Sequence, residues 1–550
     1  MSYFGGGVPG GPEKWEEEAG RTISRALANL SPRQRLVILL SVGLITAIEI
    51  SNRISINVLL PDMQGNVAAS SDEISWVLIL YNLGFLCSLA LSGWMTRVLG
   101  ARRHLLYSLL LYSIGAIGCA SSAHSLRLLL ISRVVMGFGG GAFLVRTVIL
   151  AGLMFPGKAR IYAVTWLYAV LFVFQIAYPV AMGWINDQLH WNYAFLLDFP
   201  FLILGAILIW RFIPRGYLYS RSETSHVDLW GAALLVASLS SLQIATSRGE
   251  RDQWLDSPLI VSTLLVAGLC FLAFLWWDSR PYNISPVLHL RTISRQVALR
   301  MSFSVVMIVG AILGAGLFVL PQYLRYVQDY SATQTGGFIS VYTTGLGAGL
   351  IISLRVLTPR FGGRVTIAAG MLLLIAASLT FIYIWTPTTP AGVLLPAIFL
   401  QSFALGPILL GAANIATSTA ALPDLNDVST TYFFVRQLGN SFGVTAATVL
   451  FDHRMTLHSS RLLGTANRLD PVVQSTLSQY AELITRNGGA NSNPALGALQ
   501  LFQADVITQS RLLSYIDIYF CLAVLSGVGL FLLALVRLER SSFVAHFHLW

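Results

Sequence analysis

The sequence predicts an all-α protein that crosses a membrane many times. Three observations lead there. The 550 residues are 55% hydrophobic and only 11% charged, where a soluble domain carries roughly 25% charged residues. Mean hydropathy is +0.68. Apolar stretches of about 20 residues, the length a helix needs to cross a bilayer, recur along the whole chain.

The net charge of +10 would suit a nucleic-acid binder, but the basic residues gather in short loops between apolar runs, as cytoplasmic loops do. The excess of Arg (33) over Lys (two) reads as composition bias. Cys87, Cys119, Cys270 and Cys521 all lie inside apolar runs, so no disulfide framework is indicated.

Residues 1–35 read as a cytoplasmic tail. Its start, MSYFGGGVPGGPEKWEEEAG, is Gly-rich and acidic and is no signal peptide, so the first span acts as its own insertion signal. Residues 13–30 place Trp15, Ala19, Ile23, Ala26, Leu27 and Leu30 at helical spacing. That spacing fits an amphipathic helix on the membrane surface and a frayed tail equally well.

Fourteen spans follow, over 36–60, 74–95, 104–122, 127–154, 161–184, 191–213, 229–247, 257–277, 298–324, 335–357, 365–385, 391–420, 429–451 and 514–537. Charge tests the topology. With the N-terminus inside, the inner loops and the tail at 538–550 collect sixteen Lys and Arg, among them Arg102, Arg103, Lys158, Arg215, Arg360 and Arg364. The short outer loops hold Arg127, Arg248, Arg251 and Arg325. Both termini are therefore expected to be cytoplasmic. A moderately basic inner loop covers 278–297. The longest loop, 452–510, is extracytoplasmic. Val473, Leu477, Tyr480, Ala481 and Ile484 recur in it at helical intervals, which predicts a folded helical lobe and a surface for a partner protein.

Several stretches resemble the major facilitator superfamily, in particular its fourteen-span drug:proton antiporter branch. SGWMTRVLGARRHLL (92–106) is similar to the family's loop between spans two and three, with Gly93, Gly100, Arg102 and Arg103 matching and Arg97 where Asp is frequent. SRVVMGFGGGAF (132–143) resembles its span-four motif, with Met136 replacing Gln. YPVAMGWINDQLHWNYAFLLDFP (178–200) resembles the antiporter motif of span five, including Pro179 and Gly183, and its run into span six. Here Tyr178 replaces a Gly and Asp198 an Asn. ISWVLILY (74–81), LPQYLRYVQDYSATQTGG (320–337), VRQLGNSFG (435–443) and QSRLLSYIDIYF (509–520) match the branch more narrowly.

The resemblance implies a major facilitator fold. Two six-helix bundles, over 36–213 and 298–537, are related by a pseudo-twofold, with 229–277 inserted between them as two extra helices. Substrate would bind at the midplane as the bundles rock. It also implies a partner, because fourteen-span antiporters of Gram-negative inner membranes often work with a periplasmic adaptor and an outer-membrane channel. The 452–510 loop is where an adaptor would touch.

In that branch the first span usually carries an Asp. Aligning Asn57-Val58-Leu59-Leu60-Pro61 with the end of the pattern puts Asn52 on the acid position, and Glu49 stands three residues earlier. Glu49 reads as the only acid deep in any span. At 100° per residue Thr46, Glu49, Asn52, Arg53 and Asn57 share about 140° of one face. Such a stripe must face a cavity or other helices, since a central charge costs roughly 2.5–3.5 kcal/mol on insertion scales. Glu49 and Arg53 are also spaced to pair, in the better i,i+4 orientation. Burial favours a neutral acid and a nearby arginine its anion, so a pair that opens and closes would bind and release a proton. A permanent ion pair that makes both charges tolerable is the open alternative.

Arg133 matches the span-four arginine, for which the resemblance implies a part in proton coupling; helix packing is the alternative. Arg146, about 220° further round a straight helix, is a candidate for the substrate cavity with Asn52 and Asn57, or a packing or snorkelling residue. Arg436 and Gln437 read as structural, hydrogen-bonding between helices near the cytoplasmic end of span thirteen. GFGGGA (137–142) reads as small residues that let helices approach, since no strand precedes it as a phosphate loop would require. Pro179 and Gly183 read as shaping and packing span five. His546 and His548 make an improbable metal site, and no cofactor, metal cluster or catalytic triad emerges. The function expected is a proton-coupled exporter of lipophilic small molecules and not an enzyme. Arg53, Arg133, Arg146 and Arg436 against Glu49 lean the substrates toward anionic or neutral amphipaths. A flux-free sensor with this fold and a proton-independent uniporter or importer are the alternatives.

Overall fold

The computed structural model describes residues 30–155, 158–213, 228–249, 252–278, 280, 297–419, 425–465, 470–486 and 493–535. Most of 13–30, most of the loop at 278–297 and both terminal histidines lie outside them. The regular structure among the described residues is helical throughout.

α1 (Pro32–Asn66) opens on a capping box. Ser31 Oγ accepts from Gln34 N, and Gln34 Oε1 accepts from Ser31 N, which pairs two amides that a helix start leaves open. Ser70 and Glu73 repeat the device at α2 (Ser71–Leu99). α2 ends at Gly100, whose φ of 79° is a conformation L side chains rarely adopt, and α3 (Ala101–Ala120) leaves from it. The glycine of the 92–106 motif is thus where the chain turns.

The span expected over 127–154 is interrupted, as α4 (Leu126–Gly140) and α5 (Phe143–Met154). GFGGGA lies at the interruption and packs as expected. A Cβ at Gly137 would meet Tyr81 O at 2.2 Å, and one at Gly139 would meet Tyr112 N at 2.4 Å. α6 (Lys158–Gln188) follows, then a 3-10 stretch, Trp191–Asp198, that leads into α7 (Phe199–Phe212).

α8 (Leu229–Arg248) and α9 (Pro258–Asp278) pack on each other. α10 (Val297–Tyr326) precedes α11 (Ala332–Ile352), which runs through a π turn into α12 (Thr358–Ile384). Gly362, inside that run, has a φ of 77°. It follows an Arg by two residues and precedes another by two, as Gly100 comes three after Arg97 and two before Arg102. The bend recurs at the matching place in the second half.

α13 (Ala391–Thr419), α14 (Leu425–Thr465), α15 (Pro471–Arg486) and α16 (Pro494–Leu535) complete the chain. The segment expected as one loop over 452–510 is mostly helix. α14 and α16 extend past the apolar runs, and α15 packs on α16 with Tyr480 OH donating to Asp505.

Ten helical stretches among the described residues are long and apolar enough to cross a membrane. One of them, Ala332–Ile384, covers two expected spans, and α2 contributes a shorter apolar helix over Trp76–Ser92. α3 and α14 fall below the hydropathy needed. Arg102, Arg103 and His104 begin α3, and Arg436, Gln437 and Asn440 interrupt α14.

Two large hydrophobic clusters hold the fold. One runs from Ile38 to Phe274 and also takes Phe434; the other runs from Leu299 to Leu533. They meet mainly where α6 packs on α11 and α2 on α14. The α6–α11 contact is close. A Cβ at Gly336 would lie 2.4 Å from Pro179 O, and one at Gly183 would lie 2.5 Å from Ala332 O. Pro179 and Gly183 therefore belong to a helix–helix seam.

Candidate functional site

The polar face of α1 is buried, as a charged stripe on an apolar helix requires. Glu49 is 0% exposed. Arg53 Nε donates to Glu49 Oε1 at 2.9 Å, and Tyr81 OH from α2 donates to the same oxygen at 2.9 Å. Glu49 Oε2 has no hydrogen-bond partner among the described residues. Gly140 makes room for the acid, since a Cβ there would meet Glu49 Cγ at 2.8 Å.

The pair does not stay within α1. Arg53 NH1 donates to Gln437 Oε1 on α14 at 3.1 Å, and its guanidinium lies 4.7 Å from the centre of the Phe85 ring. Gln437 Nε2 also reaches Asn82 Oδ1 on α2 at 3.4 Å. Gln437 thus hydrogen-bonds between helices and joins the two halves of the chain beside the acid. Arg436 lies over the Phe433 ring at 5.1 Å.

Arg133, fully buried on α4, sits 4.2 Å from the centre of the Tyr81 ring and 6.0 Å from that of Phe195. Its Nε donates to Val77 O at 3.3 Å and its NH1 to Met136 Sδ at 3.7 Å. No ion pair to Arg133 forms among the described residues. It meets Glu49 only through the tyrosine between them.

Glu49 is not alone. Asp198, where the 3-10 stretch meets α7, is also 0% exposed. Asn52 Nδ2 donates to its Oδ2 at 3.1 Å, Tyr112 OH to the same oxygen at 3.3 Å, and Tyr178 OH to Oδ1. The expectation of a single deep acid is therefore corrected: among the described residues Asp198 joins Glu49 as a fully buried carboxylate, facing the four arginines Arg53, Arg133, Arg146 and Arg436 of the two halves. Asp198 escaped because it lies seven residues into an apolar run whose first turns are 3-10. The 3-10 turns rise about 2.0 Å per residue, against about 1.5 Å in an α-helix, and carry it a few ångströms deeper than α-helix counting places it. The departure of both Tyr178 and Asp198 from the resembled motif was the signal available, since the two residues bond to each other.

Asn52 and Arg146, expected along a substrate cavity, are 0% and 4% exposed in this conformation. Arg146 NH2 donates to Ser92 O on α2. The break between α4 and α5 also removes the straight-helix geometry by which Arg133 and Arg146 were set on different faces. Asn57 is half-buried, with Nδ2 donating to Ile54 O of its own helix at 3.2 Å. Near Gly93 and Gly100, Arg102 NH2 donates to Trp210 O at 2.6 Å, and Arg103 is exposed.

At the ends of α1, α6 and α10 a polar cluster ties the halves together. Arg325 NH2 donates to Asp62 Oδ2 at 2.8 Å, and Asn186 Nδ2 donates to the same oxygen at 2.9 Å. Asp187 Oδ2 accepts from Thr333 N at 2.9 Å and from Thr333 Oγ1 at 2.5 Å. The carboxylate from one half thus serves the open amides at the start of α11 in the other. Asp187→Asn is expected to weaken this closure by about 1 kcal/mol, the upper range for an exposed charged contact. In an Ala332→Cys background, labelling by an impermeant maleimide should rise about five-fold. An unchanged rate would make the contact ornamental.

The sequence profile of the Major Facilitator Superfamily matches residues 42–444, well over half of the chain. The multidrug export protein EmrB of Escherichia coli (strain K12) is 26% identical over 531 residues, which cover 94% of this chain and 97% of that protein. The probable multidrug resistance protein EmrY of the same strain is 26% identical, covering 84% and 88%. Among solved structures, the partially occluded inward-open xylose transporter XylE of E. coli is similar with a TM-score of 0.57 at 13% identity, covering 92% of this chain and 99% of that one. The human organic anion transporter MFSD10 gives 0.55 at 14% identity, covering 92% and 100%. These structural likenesses speak for the fold alone.

Proposed function

The chain belongs to the major facilitator superfamily, and from that membership we propose that it is a secondary active exporter that exchanges protons for lipophilic small molecules by alternating access. The observation that supports this reading is the place of Glu49. A wholly buried carboxylate shares its one bonded oxygen between Arg53 and Tyr81, and Arg53 also holds Gln437 of the other half. Rocking the halves apart breaks the Arg53–Gln437 bond and frees Arg53 to change its hold on Glu49. An arginine held close favours the carboxylate, and an arginine drawn away leaves a buried acid that takes a proton. Domain movement and proton affinity are thereby coupled through one side chain.

Fourteen membrane-spanning helices, two six-helix bundles with 229–277 inserted, and cytoplasmic termini in a bacterial inner membrane complete the proposal. The polar cluster at Asp62 and Asp187 then closes the outer side. The four interior arginines favour anionic or neutral amphipaths, less strongly now that Asp198 joins Glu49. The α15 lobe, with Val472 and Leu483 exposed, is the proposed contact for a periplasmic adaptor.

The test is proton movement in proteoliposomes challenged with a panel of lipophilic anions, neutral amphipaths and cations. Anions and neutral amphipaths are expected to drive protons opposite to their own flux. Flux that ignores the proton gradient would make the protein a uniporter, and binding without flux would make it a sensor.

A further inference from the structure

Asp198 has no part in the coupling just described, yet its setting is that of a working acid. It is 0% exposed. The groups around it come from five elements. Asn52 on α1, Tyr112 on α3 and Tyr178 on α6 donate to it. Arg133 on α4 places a positive charge near it, and the Cys119 thiol on α3 lies close enough to feel its negative charge. Glu49, one turn along α1 from Asn52, and Tyr81 on α2 complete the surroundings. No ion pair to Asp198 forms among the described residues, whereas Glu49 has Arg53. A buried carboxylate without a paired cation is costly, and such groups relieve the cost by taking a proton. Two of the three donors are tyrosine hydroxyls, which can donate to the anion and accept from the acid, so one geometry serves both forms.

Two contacts tie this acid to the rest of the machine. Tyr81, bonded to Glu49, and Tyr112, bonded to Asp198, flank the same glycine. A Cβ at Gly140 would meet Tyr81 OH at 3.2 Å and Tyr112 Cδ2 at 3.5 Å. On the other side, Tyr178 is followed by Pro179, whose carbonyl oxygen lies against Gly336 of α11 in the other half. Separating α6 from α11 frees the backbone at Pro179, the residue next to Tyr178, from its contact with the other half.

We propose that Asp198 is a second proton-binding carboxylate of the transport cycle, and that Tyr178 links its protonation to the α6–α11 seam. With the seam open, water on the outer side delivers a proton to Asp198, which becomes the neutral acid. With the seam closed, Tyr178 and Asn52 again donate to the carboxylate, and the proton leaves toward Glu49 and the inner side. The inference rests on the antiport reading for its direction, but not for the existence of the site.

The test is pH-difference infrared spectroscopy of the full chain in lipid, where a protonated carboxyl shows its C=O stretching band. Wild type, Asp198→Asn, Glu49→Gln and Tyr178→Phe are compared. Asp198→Asn is expected to remove one carboxyl component and Glu49→Gln a different one. Tyr178→Phe should keep both and move the midpoint of the Asp198 component alone. An Asp198→Asn spectrum superimposable on wild type at every pH overturns the proposal. Should that variant fail to fold, Tyr178→Phe decides, and an unmoved set of midpoints overturns it. Loss of only the Glu49 component from the expected pair would leave the antiport reading standing and remove Asp198. Loss of only the Asp198 component would do the reverse.

Discussion

Glu49→Gln is expected to bind substrate and move no protons. In proteoliposomes, substrate-driven proton flux should fall to the level of protein-free vesicles, while substrate still shifts the intrinsic fluorescence or melting temperature of the variant. Gln has the size of Glu, and its amide oxygen still accepts from Arg53 and Tyr81, so the packing around Gly140 survives. What disappears is the titratable group. Removing one partner of a buried pair costs about 3–5 kcal/mol when the other charge is stranded. Arg53 is not stranded, because its side chain is 18% exposed and it keeps Gln437 and the Phe85 ring. The loss of stability should therefore lie below that range. Normal proton exchange by Glu49→Gln would make the Glu49–Arg53 pair a fixed structural feature and pass the coupling role to Asp198.

The second large effect is expected at the seam. Gly336→Val places a side chain where Pro179 O stands 2.4 Å from the Cβ position. That oxygen belongs to helix backbone and cannot rotate away, so α6 and α11 must part. Overpacking of this kind costs about 1–3 kcal/mol, comparable with the few kcal/mol that separate conformations of a switching protein. The closed outer side should therefore go from dominant to scarce. Substrate flux and proton flux should both collapse, and a cysteine introduced at Ser340, whose Oγ donates to Ile176 O in the closed seam, should become open to impermeant maleimide. The fold should survive, because each half keeps its own hydrophobic cluster. Wild-type transport by Gly336→Val would show that the seam need not close during the cycle. Gly183→Val, facing Ala332 O across the same seam, should behave alike.

Glu49→Gln and Gly336→Val act on different links of one chain. Glu49 touches the other half through Arg53 and Gln437, and Asp198 touches it through Tyr178 and Pro179. Both acids therefore lie one side chain away from a contact between the halves.

The sequence by itself determined the membrane class, the positions of the apolar helices and the polar face of α1. Each follows from local composition and periodicity, which act over one helix at a time. Gly100 was legible as a motif residue, and Pro179 and Gly183 as packing residues, because only a few residue types suit a bend or a close approach. The i,i+4 pairing of Glu49 with Arg53 was legible for the same reason, since helix geometry alone sets it.

Tertiary structure alone decided which side chains those elements bring together. Tyr81 on Glu49, Gln437 on Arg53, and Tyr112, Tyr178 and Asn52 on Asp198 are separated in sequence by 20 to 384 residues. No periodicity within a helix reports on a partner that far away. The depth of Asp198 was decided there too, because the 3-10 start of its span and its burial under α1, α3 and α6 carry it inside. A charge on an apolar run must find partners or lose its charge, and the folded neighbours, which no local pattern encodes, settle which of the two it does.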